Sequence, residues 1–333
     1  MIYRRAFLSG AASVGTAAFF GLRADRAAAE APPETTRIRL GRYSAVCTGP
    51  QFIAGQLLRA EGFTDTQYLT RSGIGWSQQA LANGEIDIGV NYATNVIRQI
   101  DAGDSVVLLG GVHVGCYELF GSQNVHAVRD LRGRKVGIPE LGNSHHIFAS
   151  MMVSHVGIDP HKDIEWVIQP AAESKKLLAA GKIDALMAFP PDPQELRAQK
   201  IGHVVVASAI DRPWSQYFCC MVAANAHFVR KYPMATKRAV RAILKAANLC
   251  ATEPERAARM LVDQDISKSY EYTLQALKDL PYNRWRELDP TDAVRFWSLR
   301  LYEAGLIKSG PNKILAQGAD WRFFNELKKE LKG

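Results

Sequence analysis

Past its first thirty residues, this 333-residue sequence has no long hydrophobic run. Its one uncharged stretch of any length lies at the N-terminus, so a multi-span membrane protein is excluded. Cysteine is scarce as well: Cys47, Cys116, Cys219, Cys220 and Cys250. An odd count with no regular spacing and no C-x-x-C excludes a disulfide framework. Cys219 and Cys220 are neighbours in the apolar run Tyr217–Ala224. On a strand they face opposite ways, which suits buried structural thiols better than a metal or redox pair. Charge of one sign is also lacking. The net +8 falls to +5 once Arg4, Arg5, Arg23, Arg26 and Asp25 are set aside, leaving 37 basic and 32 acidic residues. With no basic stripe interleaved with aromatics, nothing points to a nucleic-acid partner.

What is present is the balance of a soluble globular chain: 47% hydrophobic, 22% charged, mean hydropathy −0.13. At 333 residues it is too long for one core of ordinary size, so two lobes are expected. The N-terminus carries an address. Arg4-Arg5 precede Phe7-Leu8, the stretch from Ala6 to Leu22 is uncharged, and Ala27-Ala28-Ala29 offers a small-residue cleavage site. The layout is that of a signal peptide over residues 1–29, and the paired arginines with low hydrophobicity resemble a twin-arginine (Tat) signal. Its Sec counterpart is the alternative. The expected location is the periplasm.

Along the rest of the chain, strand and helix patterns alternate, which argues for an α/β fold with mainly parallel sheets. The spacing predicts strands at Arg37–Tyr43, Tyr68–Thr70, Ile86–Asn91, Lys135–Pro139, Ile164–Gln169, Ile183–Phe189 and His203–Ala207. Helices are predicted at Pro50–Glu61, Trp76–Ala82, Ser144–His155, Glu173–Ala180 and Gln194–Gln199. One echo supports two lobes. Leu81-Ala82-Asn83-Gly84-Glu85-Ile86-Asp87 returns as Leu178-Ala179-Ala180-Gly181-Lys182-Ile183-Asp184, a helix-ending glycine followed at once by a strand-starting Ile-Asp. Val106–Leu119 reads as a strand leaving one sheet for another. After Tyr217–Ala224 everything is helical, as if the chain had returned to its first lobe. Crossings near Gly121 and Trp214 would form a two-stranded hinge.

Several segments together resemble a known family, the periplasmic substrate-binding proteins of ABC importers in the nitrate/sulfonate/taurine and thiamine-precursor (NMT1/THI5-like) group. They are Ser72-Gly73-Ile74-Gly75 with Leu81–Gly89, then Asp130-Leu131-Arg132-Gly133-Arg134-Lys135-Val136-Gly137, then Phe228–Pro233 with Ala246-Ala247 and Glu253-Pro254-Glu255. The resemblance implies a two-lobed periplasmic-binding-protein fold (type II-like) that closes on a small molecule and delivers it to a membrane permease and its ATPase. The expected boundaries are residues 36–121 with 217–333 for lobe 1 and 122–216 for lobe 2. A monomer without cofactor is expected.

In open α/β sheets, ligands bind beyond the carboxyl ends of the strands. Those ends are rich in Gly, Ser, Thr and Asn, which can turn backbone N–H groups and short polar side chains toward a ligand, although each can also serve only as its own helix cap. The candidate binding residues are Cys47, Thr48, Trp76, Tyr92, Thr94, Tyr117, Asn143, Ser144, His145, Asp192 and Tyr217. Many rings and few cations favour an aromatic or heterocyclic organic ligand over a small inorganic anion. His145 and His146 diverge on a helix, so they do not make a metal site, and none is expected.

An enzyme is the alternative. The fold resembles that of an aromatic sulfinate desulfinase whose nucleophilic cysteine follows the first strand, where Cys47 stands. Yet Ser72–Ser77 holds no histidine and the following helix no arginine. The cysteine-rich motif of the thiamine-pyrimidine synthases is also absent. No catalytic residue is assigned.

Overall fold

The computed structural model describes residues 30–71 and 76–331. The signal peptide expected over 1–29 and the Ser72–Gly75 turn lie outside the described residues. The described residues from Pro32 onward form a single compact unit, within which the strands sort into two groups.

In the first group β1 (Arg37–Gly41) pairs in parallel with β2 (Asp65–Leu69). β3 (Ile88–Tyr92) and β4 (Val106–Val114) both run antiparallel to β10 (Phe218–Asn225), which lies between them. β10 is buried along its whole length, as a central strand covered on both faces must be, and its apolar sequence reflects that. The β1–β2 ribbon is stitched to β3 by Asp87: Arg39 N–H donates to Asp87 Oδ2 at 2.8 Å, and Asp87 N–H to Arg39 O at 2.9 Å. Joined in this way, the order is β2-β1-β3-β10-β4.

The second sheet repeats that plan. β6 (Arg134–Ile138) lies between β7 (Ile164–Ile168) and β8 (Ala185–Ala188), parallel to both. β5 (Glu118–Gly121) runs antiparallel between β8 and β9 (His203–Ala207). Here Asp184 repeats the part of Asp87, accepting from Lys135 N–H at 2.9 Å and donating its own N–H to Lys135 O at 2.9 Å. The Ile-Asp echo read in the sequence therefore marks equivalent joints.

β5 belongs wholly to the second sheet, so the chain crosses between Val114 and Glu118, earlier than the expected Gly121. It returns between Ala207 and Phe218. The two crossings touch. Gly115 has φ +65°, and a Cβ there would meet the Ala209 backbone at 2.3 Å, so only glycine fits. Ser208 Oγ accepts from the Cys116 and Tyr117 N–H groups at 3.1 and 2.9 Å and ties the pair together.

The helix Ser144–His155 is buried from His145 through Val153. Its Phe148 stacks on Tyr117 at 4.4 Å and meets Trp214 and Trp297 at 5.5 and 5.6 Å, which welds the crossings to the C-terminal helices. Among the described residues, no helix is long and apolar enough to cross a membrane.

Candidate functional site

β3 ends at Tyr92 and passes straight into the helix Ala93–Ala102. β6 ends at Ile138, and a loop leads to the helix Ser144–His155. Between these two strand ends lies a cleft of about 430 Å³, within the range of small-molecule sites. One wall carries Tyr43, Ser77, Gln78, Gln79, Asn91, Tyr92, Asn95, Arg98, Gln99, Ala102 and Asp104; the other carries Glu140, Gly142, Asn143 and Ser144. Arg98 reaches across, its Nη1 lying 3.4 Å from Gly142 O. Burial lowers the pKa of its guanidinium, which costs least where a polar partner compensates.

Carboxamides dominate the first wall. Gln99 Nε2 donates to Gln78 O at 2.8 Å, while Gln99 Oε1 and Asn95 Oδ1 are buried with no hydrogen-bond partner among the described residues. Unpaired buried acceptors are costly, and a ligand with N–H or O–H groups would satisfy them. Tyr43 is fixed in place by its hydroxyl, which donates to Val90 O.

Deeper in, the surface turns from amides to rings. Tyr92 packs against Tyr117 at 5.6 Å and Phe189 at 6.3 Å, and His145 lies 4.5 Å from Phe189. Burial pushes the His145 imidazole down to about 4, so near neutral pH it is an uncharged hydrogen-bonding group whose Nδ1 has no partner among the described residues. Beneath Tyr92 sits Cys47, Sγ to Oη 3.2 Å. Burial alone would raise the Cys47 thiol. Hydrogen bonds from Cys116 and Cys220, the neighbouring His113 and Tyr92 outweigh it and hold the thiol well below its ordinary range. Burial and the nearby Cys47 push the Tyr92 hydroxyl well above its ordinary value.

Of the sequence candidates, Tyr92, Asn143 and Ser144 line the cleft, and Tyr117, His145 and Cys47 lie beneath it. Asn143 also caps its helix, its side chain accepting from His146 N–H at 2.9 Å. The others stand apart. Thr48 is fully buried and spends its hydroxyl on Ala45 O at 2.9 Å. Thr94 is buried in the helix base, and Trp76 opens the helix Trp76–Ala82 packed against the core. Asp192 is paired with Lys175 at 2.9 Å. Tyr217 stacks on Phe296 at 4.0 Å in a separate surface groove. For these five the local packing claims the polar or aromatic group before a ligand can.

Sequence reasoning left out the run Asn95, Arg98, Gln99 and Ala102. These stand at i, i+3, i+4 and i+7 of one helix, a single face, and polar residues on an inward face were the available signal.

A larger groove, about 800 Å³, opens between β9 and the helix Tyr270–Asp279. Part of its charge is paired within it: Arg197 pairs with both Glu118 and Asp279, to which Gln194 also donates at 2.9 Å.

Comparison with known proteins agrees with this architecture. Residues 31–262, well over half of the chain, match the NMT1-like family. The bicarbonate-binding protein CmpA of Synechococcus elongatus is 31% identical over 101 residues, a stretch that spans 30% of this chain and only 22% of CmpA. The periplasmic nitrate-binding protein NrtA from Synechocystis PCC 6803 superposes with a TM-score of 0.76 at 16% identity, over 91% of this chain and 90% of that one. The alkanesulfonate-binding protein SsuA from Xanthomonas axonopodis pv. citri, solved with MOPS, gives 0.67 at 15% identity, over 86% and 99%. These superpositions establish the periplasmic-binding-protein fold.

Proposed function

Because the chain belongs to the NMT1-like family, we propose that it is the solute-binding component of an ABC importer, capturing a small organic molecule in the cleft and handing it to a permease. The observation that carries this reading is the cleft itself. Its two walls come from the ends of strands in different sheets, and Arg98 of one wall reaches Gly142 of the other. A ligand touching both walls favours the closed arrangement, since only differential affinity for one state shifts such an equilibrium. The relatives named above bind bicarbonate, nitrate and alkanesulfonates. Here the amide wall and ring floor suit a planar or partly apolar molecule with its own donors.

The lobes of this reading are residues 36–117 with 217–333 and residues 118–216, the first boundary moved to follow β5. The protein acts in the periplasm as a monomer, with permease and ATPase subunits as partners. A reporter fused to residues 1–29 should be exported, and export that persists after Arg4 and Arg5 are both changed to Lys would leave the Sec route in place of Tat.

The central test is a thermal-shift screen of the protein against sulfonates, nitrate, aromatic acids and aminopyrimidines. A ligand at 100 times its Kd stabilises by about 2.7 kcal/mol. No hit in any class would count against the reading. A cysteine-dependent enzyme is the second reading, favoured by the lowered Cys47 thiol beneath Tyr92. Incubated with stoichiometric protein, a ligand should be returned unchanged; conversion that Cys47→Ser stops would replace transport with catalysis.

A further inference from the structure

Below Tyr92 the scarce cysteines gather. Cys47 comes from the turn Val46–Thr48, Cys116 from the first crossing and Cys220 from β10. Their three sulfurs lie within 4.8 Å of one another, with Cys116 and Cys220 in contact at 3.5 Å. His113 Nε2 stands 4.0 Å from Cys116 Sγ and 2.9 Å from Cys47 O. All three cysteines are buried, and none is bonded to another.

We propose that Cys47, Cys116 and Cys220 form a three-sulfur binding site for a thiophilic closed-shell cation of the zinc class. Geometry favours this over a disulfide. With metal–sulfur bonds of about 2.3 Å, sulfurs around one ion sit about 3.8 Å apart in tetrahedral sites and about 4.0 Å apart in trigonal ones. The observed separations, 3.5 Å for one pair and all inside 4.8 Å, bracket those values. A disulfide needs only two sulfurs and gives no reason for the third to converge.

A divalent ion in the site is held by three thiolates, any remaining thiol protons leaving to solvent, and the complex has net charge −1 with no change of oxidation state. Affinity therefore falls as the pH is lowered. Loaded, the ion ties the turn after β1 to the crossing and to β10, and so fixes the floor on which Tyr92 stands. The inference does not depend on the transport reading, because it concerns only these side chains.

The test is anaerobic titration of the full, reduced chain with Cd²⁺, the spectroscopic stand-in for Zn²⁺. One equivalent should bind with the ultraviolet thiolate-to-cadmium charge-transfer band and raise Tm, and Zn²⁺ should compete for the same site. Cys47→Ser, Cys116→Ser and Cys220→Ser should each weaken binding by about tenfold or more. Cys250→Ser, in the helix Pro233–Thr252, should leave both readouts unchanged. A folded wild-type chain that gives no charge-transfer band overturns the proposal. So does a band that survives all three substitutions, or mass spectrometry that finds Cys116 bonded to Cys220 in protein isolated without reductant.

Discussion

Before β3, Asp87 holds Arg39 by both carboxylate oxygens, at 2.6 and 3.1 Å, with 5% of its side chain exposed. Before β8, Asp184 holds Arg134 by one oxygen at 3.4 Å, with 24% exposed. The backbone around the two is alike: each carbonyl accepts from the antiparallel strand side, Asp87 O from Asn225 N–H at 2.9 Å and Asp184 O from Ser122 N–H at 2.8 Å. The same seven-residue pattern thus builds the same joint twice. What differs is depth. The first joint is sealed by β10 and Asn225, whose side chain also donates to Leu81 O at 2.9 Å, whereas the second stays near solvent. A local motif sets geometry, and its surroundings set how much that geometry is worth.

The sharpest way to break this comparison is Asp87→Ala. Removing the acceptor of a nearly buried pair strands the Arg39 guanidinium and the Arg39 backbone N–H, so the loss of stability should be about 3 kcal/mol by urea unfolding. A loss no larger than that of Asp184→Ala would show that burial does not separate the joints.

The next largest effect is expected where the two sheets place their floor residues, Cys47 after β1 and His145 after β6. His145 is neutral in the fold, pushed down to about 4, against an ordinary value of 6.5. Its contribution is complete above pH 6.5 and is lost as the pH falls toward 4, because the unfolded chain then binds the extra proton. Stability should drop by about 1–3 kcal/mol over that window. His145→Gln should shrink this acid limb in pH-dependent melts, leaving the part due to His146, which burial also pushes down to about 4; an unchanged limb would assign it to other groups.

For a bound ligand, Tyr92→Ala on the first wall should weaken affinity by about 10- to 100-fold, or about 1–3 kcal/mol. Calorimetry would also compare Arg98→Ala with Ser144→Ala, one from each wall. Affinity lost on one side alone would mean that the cleft does not close on its ligand. The smallest effect is expected for Asp184→Ala, about 1 kcal/mol, as befits a partly solvated pair.

Much of this was legible in the sequence, for a physical reason that differs from element to element. The helices Trp76–Ala82 and Ser144–His155 fall where capping residues and apolar spacing place them, because those signals act within a turn or two of the chain. The alternation of strand and helix led to the two-sheet plan, and the Ile-Asp echo to its repetition. The predicted helix Pro50–Glu61 is instead two short ones, Gly49–Ile53 and Gly55–Ala60, a break that local propensity did not announce. The strand expected over Val106–Leu119 divides at Gly115, where the approach of Ala209 decides the conformation.

The candidate site was legible only in part. Tyr92, Asn143 and Ser144 could be found because the carboxyl ends of strands are where such folds leave polar groups free. That Asp192 would meet Lys175, or Tyr217 would stack on Phe296, depended on partners many residues away.

By itself, then, the sequence determined the alternating elements, the two repeated joints and the family resemblance, all of which rest on patterns within a few turns of chain. Only the tertiary structure decided that Cys47, Cys116 and Cys220 meet beneath Tyr92 and that Arg98 spans the cleft. Those contacts join positions far apart in the chain, and only the topology that folds the chain back through two crossings brings them within reach.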